Sequence, residues 1–183
     1  MSDESHTTSE NQQIGQQIEH RIDLDAYLKR INYIGPSDLA PTLETLKHLQ
    51  LCHASAIPFE NLDVLLGQRI DLSMQAIEHK LVTSNRGGYC FEHNSLFLHV
   101  LQALGYDAIG LSGRVIFSSP PDVMPARTHL FTRVTLDGTP WLLDVGVGGF
   151  TPTQPLRMDT PDPQQTPHDT RRIIKSDEPT PDG

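Results

Sequence analysis

Several things that would each name a function are scarce or missing in this 183-residue chain. There are only two cysteines, Cys52 and Cys90, and no Cys-x-x-Cys pair. That excludes a disulfide framework and a thiol-redox motif. A single Cys52–Cys90 bridge stays open on sequence grounds, although a reduced cytosolic setting fits two cysteines better. Positive charge is short too, with 14 Lys and Arg against 23 Asp and Glu and a formal net charge of -9. An acidic chain repels a phosphate backbone. The densest basic group, Arg171, Arg172 and Lys175, is diluted by Asp169, Asp177 and Glu178, so no nucleic-acid partner is expected. No apolar run approaches the ~20 residues that span a bilayer, and no membrane partner is expected. The N-terminal MSDESHTTSENQQIGQQ lacks the basic start and apolar stretch of a signal peptide, so the expected location is cytoplasmic. Nine histidines are present, but no four-ligand spacing links them, and no metal is expected.

What is there divides into four stretches, within a length that suits one domain or two small ones sharing a core. Residues 1–20 hold almost no apolar side chains and are expected to be disordered. Residues 21–105 read as helical. Leu24, Tyr27, Leu28 and Ile31 recur at helical spacing until Gly35-Pro36; Leu39, Leu43, Leu46 and Leu49 form a second stripe; Met74, Ile77 and Leu81 form a third, entered through Ser73. A last helix starts at Cys90, buries Phe97, Val100, Leu101 and Leu104, and meets Gly105 where a left-handed cap belongs. Residues 106–160 change period. AIGLSGRVIF, THLFTRVTL and WLLDVGVGGF read as strands of an antiparallel meander, with Asp137-Gly138 as a hairpin turn. Residues 161–183 are a polar, proline-rich tail that has to lie on the meander or stay mobile.

The chemistry centres on RGGYCFEHN, Arg86 to Asn94. A thiol attacks as a thiolate, and a helix N-terminus or an imidazolium favours that form. Cys90 should occupy a first helical turn, where unpaired backbone N–H groups favour negative charge. Free cysteine is also among the most buried residue types, so locally the core and nucleophile readings are balanced. A nucleophile needs a base, and the base an orienting group. If Asp137-Gly138 is a two-residue turn, Leu136 faces Thr139 and His129 and Asp144 become diagonal neighbours on one face, with Cβ atoms within about 7–8 Å. A three-residue turn would separate them. Asp144 interrupts an otherwise apolar strand, and a carboxylate there is costly unless paired. It could cap amides near Gly146 to Gly149 or partner a histidine. His48 and His53 read as helix-surface residues or neighbours of Cys52. His93 and His99 read as packing or solvent-facing, and Cys52 as core. The Gly146–Gly149 run is a weak phosphate-loop signal, since no helix pattern follows it.

Four segments together, RGGYCFEHN, IPFENLD, RTHLFTRV and WLLDVGVGG, resemble the arylamine N-acetyltransferases, in order and spacing, over roughly residues 22 to 170. The resemblance implies an α+β, cysteine-peptidase-like fold: a helical bundle carrying Cys90, then an antiparallel β-barrel or meander carrying His129 and Asp144. It implies acetyl transfer from acetyl-CoA to an arylamine or arylhydrazine through an acetyl-Cys90 thioester, with His129 as acid and base and Asp144 orienting it. Phe59 would line the acceptor pocket, Glu60 and Arg86 would support the site as an ion pair, and Gly146, Gly148 and Gly149 would lie by the CoA phosphates. The family continues into a third, α/β lid domain, which is largely absent from these 183 residues; a shortened member would be expected to transfer weakly and to let water reach the thioester. Two alternatives share the triad logic or abandon it: a peptidase- or transglutaminase-like acyl-transfer enzyme, or an inactive fragment with a binding role.

Overall fold

The computed structural model describes residues 20–117, 119, 120 and 123–175. The segment expected to be disordered lies, as far as residue 19, outside the described residues, and so does the tail from residue 176.

Each helix begins where a side chain can take up an orphan N–H. Helix α1, Leu24–Arg30, is capped by Asp23, whose side chain accepts from Ala26 N. Helix α2, Leu43–Ala56, is capped by Thr42, which accepts from Thr45 N. Leu39, expected on the α2 stripe, instead precedes the helix with φ of 52°; Pro41 disfavours helical backbone at the residue before it, which delays the start. A single turn, α3, spans Leu62–Leu65. Helix α4, Met74–Glu78, is capped by Ser73 as expected and runs into a π turn over His79–Thr83. Helix α5, Cys90–Ala103, buries Leu96, Phe97, Val100 and Leu101 completely. Gly105 follows it with φ of 86°.

The sheet is a meander in the order β1-β2-β3-β4. Strand β1 is Asp107–Gly113, β2 is His129–Leu136, β3 is Thr139–Leu143 and β4 is Leu156–Arg157. Asp137 and Gly138 have φ of 50° and 75°, the signs of a type I′ turn, and Leu136 pairs with Thr139. The fold is α+β. The barrel also expected does not close among the described residues: four strands, one of two residues, are too few to enclose a filled interior, and α5 covers β1 and β2 instead. Strand β1 stops at Gly113, where its partner β2 begins at His129, so Val115 to Phe117 leave the sheet rather than extend it. Strand β3 stops one residue before Asp144. The segment after Thr151 returns to the sheet through β4, and β5, Gln164–Gln165, pairs with β6, Thr170–Arg171.

One apolar core joins the halves. Tyr27, Leu46, Leu49, Ile77, Leu81 and Phe97 belong to the same buried cluster as Val134, Leu143 and Val145. The helix carrying Cys90 is therefore packed directly on the strand that begins with His129.

Candidate active site

Cys90 is the first residue of α5 and is half-buried and unbridged. Its Sγ lies 3.6 Å from the Thr128 carbonyl oxygen. The free N–H groups of this helix end are only partly occupied: Glu92 Oε2 accepts from Tyr89 N at 3.0 Å.

His129 Nε2 donates to Asp144 Oδ2 at 2.5 Å, and both side chains are buried. Burial alone would push the imidazole down, but its hydrogen bonds to Asp144 and Cys90 outweigh that and raise it to about 9. The other carboxylate oxygen of Asp144 accepts from Gly146 N at 2.9 Å. The two readings of Asp144 are thus both realised, one on each oxygen.

Asn94 has no assigned part in the sequence reading, yet it ties the two halves of the site together. It lies one turn after Cys90 and is fully buried. Its Nδ2 donates to Asp144 Oδ1 at 3.0 Å and to Leu130 O at 2.7 Å, and its Oδ1 accepts from Val145 N at 3.1 Å. The signal was available: Asn94 shares the face of Phe97 and Leu101 at spacings of three and seven.

Arg86 and Glu60 do form an ion pair, at 2.9 Å, within a larger network. Arg86 also reaches Asp63 at 2.5 Å, while Lys80 reaches Asp63 and Glu92 at 2.7 Å each. The hydrogen bonds from Lys80 and then Arg86 hold the Asp63 carboxyl below its ordinary value. The π turn carries Lys80, and a wider turn of this kind is common at functional sites. The network packs against the N-terminus of α5 through Glu92.

Beside Cys90 is a cavity of about 360 Å³. Phe59, Val115, Phe117, Val147 and Phe150 supply its apolar wall, and Cys90 and His129 its polar end. Phe117 and Phe150 contact each other with ring centroids 5.3 Å apart. Phe59 lines this cavity, whereas Phe117 enters from the segment after β1 and Phe150 from a 3-10 turn, Gly148–Phe150, on paths that no local pattern encodes. Gly146 reaches the site for a packing reason: a Cβ there would lie 2.8 Å from Asn94 Nδ2 and 3.0 Å from Cys90 Cα. Gly148 faces Phe59, and Gly149 borders open space.

His53, for which a helix surface was one expectation, is completely enclosed, and His93, expected to pack or to face solvent, packs at 1% exposure. Both follow leucine or precede phenylalanine at helical spacing: His53 continues the stripe of Leu46 and Leu49, and His93 that of Phe97. Among the described residues, no group of three or more His, Cys, Asp or Glu is placed to hold a metal ion, and no helix is long and apolar enough to cross a membrane.

Known proteins resemble the chain in both sequence and fold. The N-acetyltransferase family profile matches residues 42–180. An arylamine N-acetyltransferase of Mycobacterium tuberculosis is 49% identical over 156 residues, which are 83% of this chain and 54% of that protein. The solved arylamine N-acetyltransferase of Salmonella typhimurium superposes with a TM-score of 0.79 at 44% identity, over 86% of this chain and 57% of that one. The Mycobacterium marinum arylamine N-acetyltransferase in complex with CoA gives 0.79 at 48% identity, over 85% and 58%. The chain spans about half the length of the curated relatives it matches.

Proposed function

The chain belongs to the arylamine N-acetyltransferase family, and from that premise we propose that its site transfers acetyl from acetyl-CoA to an aromatic amine or hydrazine through Cys90. The observation that carries the reading is the His129–Asp144 pair buried beside a cysteine at a helix N-terminus. With Nε2 bonded to Asp144, Nδ1 is the ring atom left for proton exchange with Cys90. A carbon–sulfur bond forms between Cys90 and the acetyl carbonyl. The CoA thiol leaves and takes its proton from the His129 imidazolium. The amine nitrogen then attacks the thioester, His129 accepts its proton, and Cys90 departs as thiolate. The two half-reactions make the kinetics ping-pong.

The raised His129 supports this cycle, because an imidazolium that persists above neutral pH is the proton donor the leaving CoA thiol needs. Asp144 holds the ring and stabilises its charged form, the part an orienting carboxylate plays in a triad. The aromatic wall of Phe59, Phe117 and Phe150 suits a flat acceptor ring. Gly146, which lines the cavity, Gly148, which faces Phe59, and Gly149, which borders open space, are assigned to the approach of CoA.

Intact-mass measurement after mixing with acetyl-CoA, or with an activated aryl acetyl ester, tests the reading. One acetyl group is expected on Cys90, discharged on adding an arylamine, with transfer falling by about 10²–10⁴-fold in His129→Ala. Acylation by amide substrates but not by acetyl donors would favour a peptidase- or transglutaminase-like enzyme, and no acylation at all would sink both.

A further inference from the structure

The mechanism leaves unused a line of buried polar groups behind the pocket. Tyr27 of α1 meets His53 Nδ1 of α2 at 2.9 Å. His53 Nε2 meets His93 Nδ1 of α5 at 3.0 Å. His93 Nε2 meets the Pro58 carbonyl oxygen at 3.1 Å. Tyr27 and His53 are completely buried and His93 nearly so. Buried polar groups of this kind are expensive unless every one is satisfied, and a fully satisfied line specifies its geometry.

The direction of the line follows from its end. A carbonyl oxygen only accepts, so His93 Nε2 carries a hydrogen. In a neutral ring Nδ1 is then a lone pair, and His53 Nε2 must donate to it. His53 Nδ1 is in turn a lone pair, and the Tyr27 hydroxyl donates to it. The reverse direction would need a charge on His93 and a second acceptor for the Tyr27 hydroxyl, and no other bond of that hydroxyl is found among the described residues. Burial pushes both imidazoles below their ordinary value, and the neighbouring charges do not overturn it. Arg30 on α1 and His93 itself oppose a charge on His53, while Asp144 and Glu60 act on His93 in the favourable sense but lose to its burial.

The line ends at the site. Pro58 O also accepts from Gly88 N, Glu60 N donates to Gly88 O, and Phe59 bridges to Gly88. The approach is close enough that a Cβ on Gly87 would lie 1.9 Å from Pro58 O. His93 further stacks on Phe59, with ring centroids 6.1 Å apart and planes 25° from parallel.

We propose that Tyr27, His53 and His93 are positioning residues for the acceptor side of the site: an uncharged, one-directional chain of hydrogen bonds that pins the Pro58 carbonyl and so sets Phe59 against the pocket beside Cys90. The part of this that concerns acceptor binding rests on the acetyltransferase reading; the direction of the chain does not.

The test therefore has two arms. In the wild-type protein at pH 7, nitrogen-15 NMR of the histidine rings, assigned with His53→Asn and His93→Asn, should show both rings neutral with the hydrogen on Nε2. Either ring charged, or carrying its hydrogen on Nδ1, overturns the chain whatever the enzyme does. Kinetically, His93→Asn removes the donor to Pro58, and His93→Gln places an amide N–H where Nε2 was. The Asn variant should raise KM for the aromatic acceptor several-fold while the rate of Cys90 acetylation by the donor is unchanged, and the Gln variant should restore most of the loss. Equal KM in the wild type and the Asn variant, or an equal fall in both half-reactions with no rescue by Gln, overturns the positioning role.

Discussion

At the scale of single residues, the site depends on side chains whose value lies in the bonds they make to one another. Asn94 is the clearest case. Replacing it by alanine strands the Leu130 carbonyl and the Val145 N–H and takes one donor from Asp144. A buried group left unsatisfied costs about 1–3 kcal/mol, so Asn94→Ala should destabilise by roughly 2–3 kcal/mol in urea titration and slow acetyl transfer together. Asn94→Asp should be worse for transfer, since it sets a second carboxylate against Asp144; a variant as active as the wild type would remove Asn94 from the support of the dyad. None of this was visible in composition. The face of α5 on which Asn94 and His93 lie was visible, because spacing alone puts them beside Phe97 and Leu101. Reading a polar residue on an apolar face as a core partner finds Asn94 and His53, and chooses packing over solvent for His93.

At the scale of elements, the site is a junction between the start of α5, the start of β2 and the end of β3. Gly146 keeps that junction tight: a methyl group there meets Asn94 Nδ2 at 2.8 Å and Cys90 Cα at 3.0 Å, so the Asn94 side chain and the start of α5 have to give slightly. A displacement of an ångström in reacting groups can cost about 10²-fold in rate, so the smaller shift in Gly146→Ala should slow Cys90 acetylation by roughly several-fold. The π turn serves the other side. Lys80 sits between Asp63 and Glu92, and Lys80→Met would leave those two carboxylates facing each other with less compensation. A loss of about 3 kcal/mol is expected in the urea midpoint, the low end of the range for breaking a buried pair; a loss under a few tenths would show that Arg86 suffices alone. The hairpin register that brings His129 toward Asp144 was legible from Asp137-Gly138, since the turn type sets which residues face each other. The π turn was not. Met74, Ile77 and Leu81 fit a plain helix, and the partners that Lys80 meets from the widened turn, Asp63 and Glu92, lie in other elements.

At the scale of the molecule, the shared core makes helices and sheet one cooperative unit. Trp141, the only tryptophan, is on β3 and packs against that core. Its fluorescence and the far-ultraviolet circular dichroism of the helices should therefore report the same urea midpoint, and separated transitions would contradict a single core. Stability should also fall at both ends of the pH scale. His53 and His93 titrate below their ordinary value in the folded chain. As pH drops below about 6.5 the unfolded chain binds protons that the folded one refuses, at a cost of about 1.4 kcal/mol per pH unit for each such proton. His129 has the opposite sign: raised to about 9, its contribution is complete below the unfolded value and lost as pH rises through 9. His93→Gln should flatten the acid limb, and Asp144→Asn should weaken the alkaline one. What the sequence determined by itself was which segments form helices and strands, the hairpin register, the family resemblance, and Cys90, His129 and Asp144 as candidates. The elements and the register follow from neighbours a few positions apart, and the resemblance and the candidates from motifs in order along the chain. What the tertiary structure decided is what depends on residues far apart in sequence meeting: Asn94 bridging to Asp144, Phe117 and Phe150 closing the cavity wall, the Lys80 network, and the enclosed line from Tyr27 to Pro58. Each is a contact between elements, and its energy depends on burial that no short window of sequence encodes.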